Sequence, residues 1–205
     1  MFRNLLNPEN PLMVTMSQIS DCILLSLMWL LGCFPVFTVG ASGAALYDSV
    51  RQCFRGCERN PVSRFLASFR RDFKASLIPG ILYLAALWIG GKAMVSLWNG
   101  AVAGMYGWPL FAGCGFLAVT ALGILSVLFP LLSRFDNPLG ALLKNTVLLA
   151  LGNMPRTVAL GVLNALCAWL CVRFIFPLFF LPALACLIST YLLEPMFRPY
   201  LPPAE

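Results

Sequence analysis

The chain has 205 residues, of which 60% are hydrophobic and only 11% charged, against about 25% charged in a soluble domain. A soluble fold of this size could not cover so much apolar side chain, so the bilayer is the natural solvent. Histidine is absent, which removes the commonest general base and metal ligand together. The net charge of +6 comes from clustered Arg, which suits an anionic leaflet rather than nucleic acid.

A helix needs about 20 apolar residues to cross a ~30 Å core. On that ruler the sequence predicts an all-α, polytopic membrane protein forming a single domain over 1–205, with about five spans: Ile19–Val39, Ser76–Trp98, Pro109–Leu132, Met154–Val172 and Phe176–Pro195. Leu30-Leu31-Gly32-Cys33 resembles a lipoprotein cleavage site, but Arg3 is far from the apolar run and Asp21 sits at its start, so a retained first span is expected. Pro35 predicts a bent or unwound exit over Phe34–Gly40.

A cytoplasmic helical insert follows at about 41–75. In Ser42–Cys57, Leu46, Val50, Cys53, Phe54 and Cys57 fall on one helical face, with Asp48, Arg51 and Arg55 opposite. Asn60-Pro61 predicts the cap and first residue of a second helix. Its stripe of Phe65, Phe69 and Phe73 beside Arg64, Arg70, Arg71 and Lys74 predicts a membrane-surface basic helix, with the rings as interfacial aromatics against the anionic inner leaflet. A second cytoplasmic segment, about 133–156, again opens on Asn-Pro at Asn137-Pro138.

Seven of the fourteen Lys and Arg residues lie between Arg51 and Lys74, whereas Asn99–Trp108 carries no charge. The positive-inside rule then places the basic segments in the cytoplasm, and Trp98, Tyr106 and Trp108 form an outer aromatic belt.

Ionisable groups inside spans are costly and default to functional candidates. Asp21, Lys92 and Arg173 qualify, and two readings stand: an outward polar pocket for an anionic or sugar-like ligand, or snorkelling bases with a hydrated acid. Glu194 pairs with Arg198 in an i,i+4 reading. Ser26, Asn153 and Asn164 read as interhelical hydrogen-bond groups, and Gly32, Gly90-Gly91, Gly113, Gly115 and Gly161 as sites of close helix approach. Six of the eight cysteines lie in apolar runs, where a thiol behaves as a small hydrophobe. No catalytic group, metal site or cofactor is expected, since paired acids or an acid–base couple are missing.

Three stretches together resemble the YesL-like family of bacterial integral membrane proteins. They are Trp29-Leu30-Leu31-Gly32-Cys33-Phe34-Pro35-Val36-Phe37-Thr38-Val39-Gly40-Ala41, running on to Ala44-Ala45-Leu46-Tyr47; the Phe-rich basic helix Phe65 to Phe73; and Phe129 to Asn137, through Leu143-Lys144-Asn145 to Pro155-Arg156-Thr157. Ser26 departs from the family's Asn. The resemblance implies a multi-pass plasma-membrane protein, often encoded beside carbohydrate-uptake systems, and no catalytic residues. The expected function is therefore non-enzymatic, an accessory or regulatory partner of a membrane transport complex, with a small transporter or channel as the alternative.

Overall fold

The computed structural model describes residues 11–55, 60–104, 107–134, 138–174 and 176–197. Cys57, Tyr106, Asn137 and Arg198 lie outside them. Seven α-helices run in chain order: α1 Pro11–Cys33, α2 Val39–Arg55, α3 Pro61–Val102, α4 Trp108–Arg134, α5 Leu139–Gly152, α6 Met154–Arg173 and α7 Leu181–Phe197. Short 3-10 turns occupy Val36–Thr38 and Phe176–Phe179. The protein is all-α and membrane-like.

Four helices, α1, α3, α4 and α6, are long and apolar enough to cross a membrane. The expected fifth span is shorter than its apolar run suggested. The chain breaks after Arg173, turns through the 3-10 segment, and leaves α7 with 17 residues, about 25 Å at 1.5 Å per residue. The first span ends as Pro35 required. Thr38 Oγ1 donates to the Gly32 and Pro35 carbonyls, each at 2.5 Å, satisfying groups that the bend releases from α1.

Pro61 opens α3, but the helix does not stop where the basic segment meets the second span. It continues for 42 residues, about 63 Å. Pro79 lies inside it and is buried. Next to Pro79, Gly80 faces Gly40 of α2. A Cβ at Gly40 would lie 2.5 Å from the Ser76 carbonyl oxygen, so α2 and α3 touch backbone to backbone.

The core is organised around α2. Tyr47 and Ala44 enter a cluster with Val127, Leu128, Leu142, Leu160, Leu193 and Phe197. Ala45, Leu46 and Val50 enter a second with Leu25, Phe65 and Ala183. The helix contacts α1, α3, α4 and α7. It is therefore a central strut, whose apolar face, read from its periodicity, is buried against neighbouring helices.

The α4–α6 contact is tighter still. A Cβ at Gly123 would fall on the Thr157 carbonyl oxygen, and one at Gly161 on that of Val119. Asn164 Nδ2 bridges the two helices to Ser126 Oγ at 2.9 Å, and the buried Ala183 amide of α7 donates to Ser26 Oγ of α1 at 3.1 Å. Both expected interhelical donors or acceptors are thus in use. Asn153 instead bonds locally to the Leu149 carbonyl at the α5–α6 corner, at 3.3 Å. Gly161 and Gly32 meet neighbouring helices, whereas Gly90, Gly91 and Gly113 face open space.

A buried ion-pair network as the candidate functional site

Three positions within about one turn of α2, Tyr47, Asp48 and Arg51, reach across to α3 and α7. Asp48 is 3% exposed. Its carboxylate accepts from Ser68 Oγ at 2.5 Å, Arg64 Nε at 3.1 Å and Gln52 Nε2 at 3.1 Å. Arg51 Nη1 stands 3.8 Å away. Glu194, near the end of α7, accepts from Arg134 Nη2 with both oxygens at 2.9 Å. It also pairs with Arg51 Nε at 3.2 Å. Arg51 therefore joins the two carboxylates, and the chain of charges runs Arg64, Asp48, Arg51, Glu194, Arg134 across four helices.

Such an arrangement is held by mutual satisfaction. A buried carboxylate is tolerable only when paired and hydrogen-bonded on its remaining lone pairs. Among the described residues, three guanidinium groups face these two carboxylates, and the buried Arg134 Nε has no hydrogen-bond partner. Burial, reinforced by the Glu194 carboxylate, holds the Tyr47 phenol well above the ordinary tyrosine range. Its hydroxyl thus stays a donor, reaching Glu194 at 3.5 Å. At that length the bond is weak, so Tyr47→Phe should cost under about 1 kcal/mol in thermal unfolding of the detergent-solubilised protein. A larger loss would show that the phenol matters more than its geometry allows.

Beside the network, Arg71 grips Asp72 through Nε at 2.7 Å and Nη2 at 2.9 Å, and reaches the Ser133 carbonyl of α4 at 3.4 Å. Of the predicted basic face, Arg64 and Arg71 are thus engaged by carboxylates, while Arg70 and Lys74 are exposed. The aromatic stripe turns inward where a lipid-facing one was expected. Phe65 is 2% exposed and packs with Leu25, Leu46 and Val50, and Phe69 packs against the same cluster. Phe65 and Phe69 stack with centroids 6.1 Å apart, and Phe73 meets Phe69 in a tilted contact at 5.6 Å. The physical reason is that α1 folds over this side of α3, so the stripe has protein to bury against. The segment is a brace.

The three intramembrane candidates are not brought together. No ion pair or hydrogen bond joins any two of Asp21, Lys92 and Arg173 among the described residues. Asp21 is half-buried on α1, Arg173 exposed at the end of α6, and Lys92 exposed on α3. The Lys92 ammonium lies over the Trp88 ring, 5.1 Å from its centroid. A groove of about 350 Å³ between α1 and α7 is lined by Gln18, Ile19, Cys22, Ile23, Phe54, Phe180, Leu184 and Leu187, and its wall is almost wholly apolar.

Sequence reasoning placed Asp48 and Arg51 on the polar face of α2 but named no partners for them. Its Glu194–Arg198 pairing falls outside the described residues, and the structure brings Arg134 and Arg51 to Glu194. The one available signal was the isolation of Asp48 and Asp72 within a basic stretch, because a lone acid there needs a cation beside it.

Residues 22–90 match the family described as "Protein of unknown function, DUF624". The YesL-like resemblance points to the same family. No curated protein and no solved structure matches the chain. The DUF624 match takes in all of α2 and α3 as far as Gly90. It therefore contains Asp48, Arg51, Arg64 and Ser68, whereas Arg134 and Glu194 close the network from outside the matched stretch.

Proposed function

We propose that this protein is a non-enzymatic, multi-pass protein of the plasma membrane that assists carbohydrate uptake or its regulation, with the α2–α3 turn end in the cytoplasm. The observation that carries the reading is the closed ion-pair network. Its carboxylates are spent on neighbouring guanidinium groups, which ties four helices together and leaves Arg70 and Lys74 outward. A locked scaffold with an exposed basic edge suits an accessory component better than a conduit. The apolar wall of the α1–α7 groove points the same way, because a path for a polar solute needs polar lining along the membrane. The carbohydrate link is what the YesL-like resemblance implies.

Two experiments bear on this. Single cysteines at 70 and 103, each in a cysteine-free background, test orientation. Impermeant reagent in intact cells should reach position 103 and spare position 70, following the positive-inside rule; the reverse pattern overturns the topology. A photo-crosslinker at position 70 or 74 in native membranes should then form adducts with subunits of a sugar-uptake complex. Adducts with lipid alone would sink the accessory reading.

A further inference from the structure

The α3–α4 turn contains Gly104 at φ +73° and has an aromatic cluster beside it. Trp98, Trp108 and Phe111 meet with centroids 5.5–6.2 Å apart. Aromatic clusters of this kind mark the membrane–water boundary. Measured from Trp98, Trp88 lies ten residues back along α3, or about 15 Å, which is the middle of a ~30 Å core.

Lys92 sits between them, and its direction is informative. A snorkelling lysine here would stretch toward Trp98 and the turn. Instead its ammonium lies over Trp88, one turn further into the span, following the tilt of helical side chains toward the N-terminus. Among the described residues, the charge at mid-depth is held by this ring face and no carboxylate pairs with it. Around it, Ala85, Trp88, Lys92, Ser96 and Asn99 form one stripe at helical spacing, and every one of them is exposed. Ala85 and Ser96 are small and flank the cation on either side, so another helix can come close there.

We propose that this stripe is the docking face for a transmembrane helix of a partner protein that carries an Asp or Glu near its centre. A carboxylate brought beside Lys92 at this depth completes an ion pair in a medium where neither charge is well solvated alone. Ser96 and Asn99 offer further polar contacts on the same side, and the cation–π contact with Trp88 keeps the ammonium in place for the incoming acid. The inference depends on the accessory reading only in supposing that a partner exists. It concerns the membrane-embedded face, so it fails separately from the crosslinking at positions 70 and 74.

The test uses the full chain, fluorescently labelled and reconstituted in neutral phosphatidylcholine vesicles with labelled single-span polyleucine peptides. These carry Glu, Gln or Leu at their centre, and association is read by energy transfer. The Glu peptide should bind at least tenfold more tightly than the Leu peptide. That preference should vanish with Lys92→Met and be restored by pairing Lys92→Glu with a central-Lys peptide. Equal binding of all three peptides to the native chain, or a Glu preference that survives Lys92→Met, overturns the proposal. So does energy transfer between copies of the chain that needs Lys92 and no peptide, which would assign the face to a second copy. Far-UV circular dichroism checks that Lys92→Met folds, the expected outcome for an exposed position.

Discussion

Replacing Asp48 by Ala should cost about 3–5 kcal/mol of stability, the range found when one partner of a buried ion pair is removed. The loss has a definite origin. Arg64 and Ser68 keep their positions on α3, yet they lose the carboxylate that accepts from them, and Arg51 is left leaning on Glu194 alone. Asp48→Asn keeps an acceptor for Ser68 and Arg64 but removes the charge and turns the other oxygen into an amide donor facing Gln52. It should fall between Ala and the native residue, at about 2 kcal/mol, in line with hydrogen bonds to charged groups. Reversible unfolding in mixed micelles measures both. A loss under about 1 kcal/mol for Asp48→Ala would mean that water reaches the network and screens it. Adding Arg64→Met to Asp48→Leu should recover much of the loss, since exchanging a buried pair for apolar side chains of similar volume is often neutral.

The second large effect is steric. Gly123→Leu and Gly161→Leu should each destabilise at or beyond the top of the ~1–3 kcal/mol range of overpacking, because the new side chain meets backbone. A Cβ at either position collides with a carbonyl oxygen of the facing helix, Thr157 or Val119, and a carbonyl inside a helix cannot rotate away. Gly90→Leu provides the control, since nothing lies within 4 Å of a Cβ there. Folded yield after detergent extraction should fall sharply for the first two and stay level for the third. Native yield of Gly123→Leu would show that α4 and α6 separate without penalty.

Much of the architecture was legible because it follows from one-dimensional rules. Length and hydropathy located the long apolar helices, Pro35 located the bend, and the Arg173–Pro177 interval located the last turn. The paired helices α2 and α3 came from periodicity and an Asn-Pro start. What periodicity cannot supply is the neighbour. It set Phe65 and Phe69 on one face correctly, but whether that face meets lipid or α1 depends on how α1 folds back. The same limit hid the network. Asp48, Arg134 and Glu194 lie far apart in the chain, and an i,i+4 rule can only offer Glu194 a local partner. The continuity of α3 was missed for another reason. Basic and apolar stretches read as separate elements, although a helix can cross such a boundary when its caps and hydrogen bonds are intact.

Tyr47 and Glu194 meet across 147 residues, and this separation sets a timetable. A ribosome adding about 5–20 residues per second needs roughly 7 to 30 s to go from one to the other. Through that interval Arg51 has been made and its second carboxylate has not, so α2 waits half-neutralised while α3 to α6 emerge. The four-helix lock can shut only when α7 arrives, making the arrival of that helix, and not insertion of the early spans, the moment at which the four helices become tied.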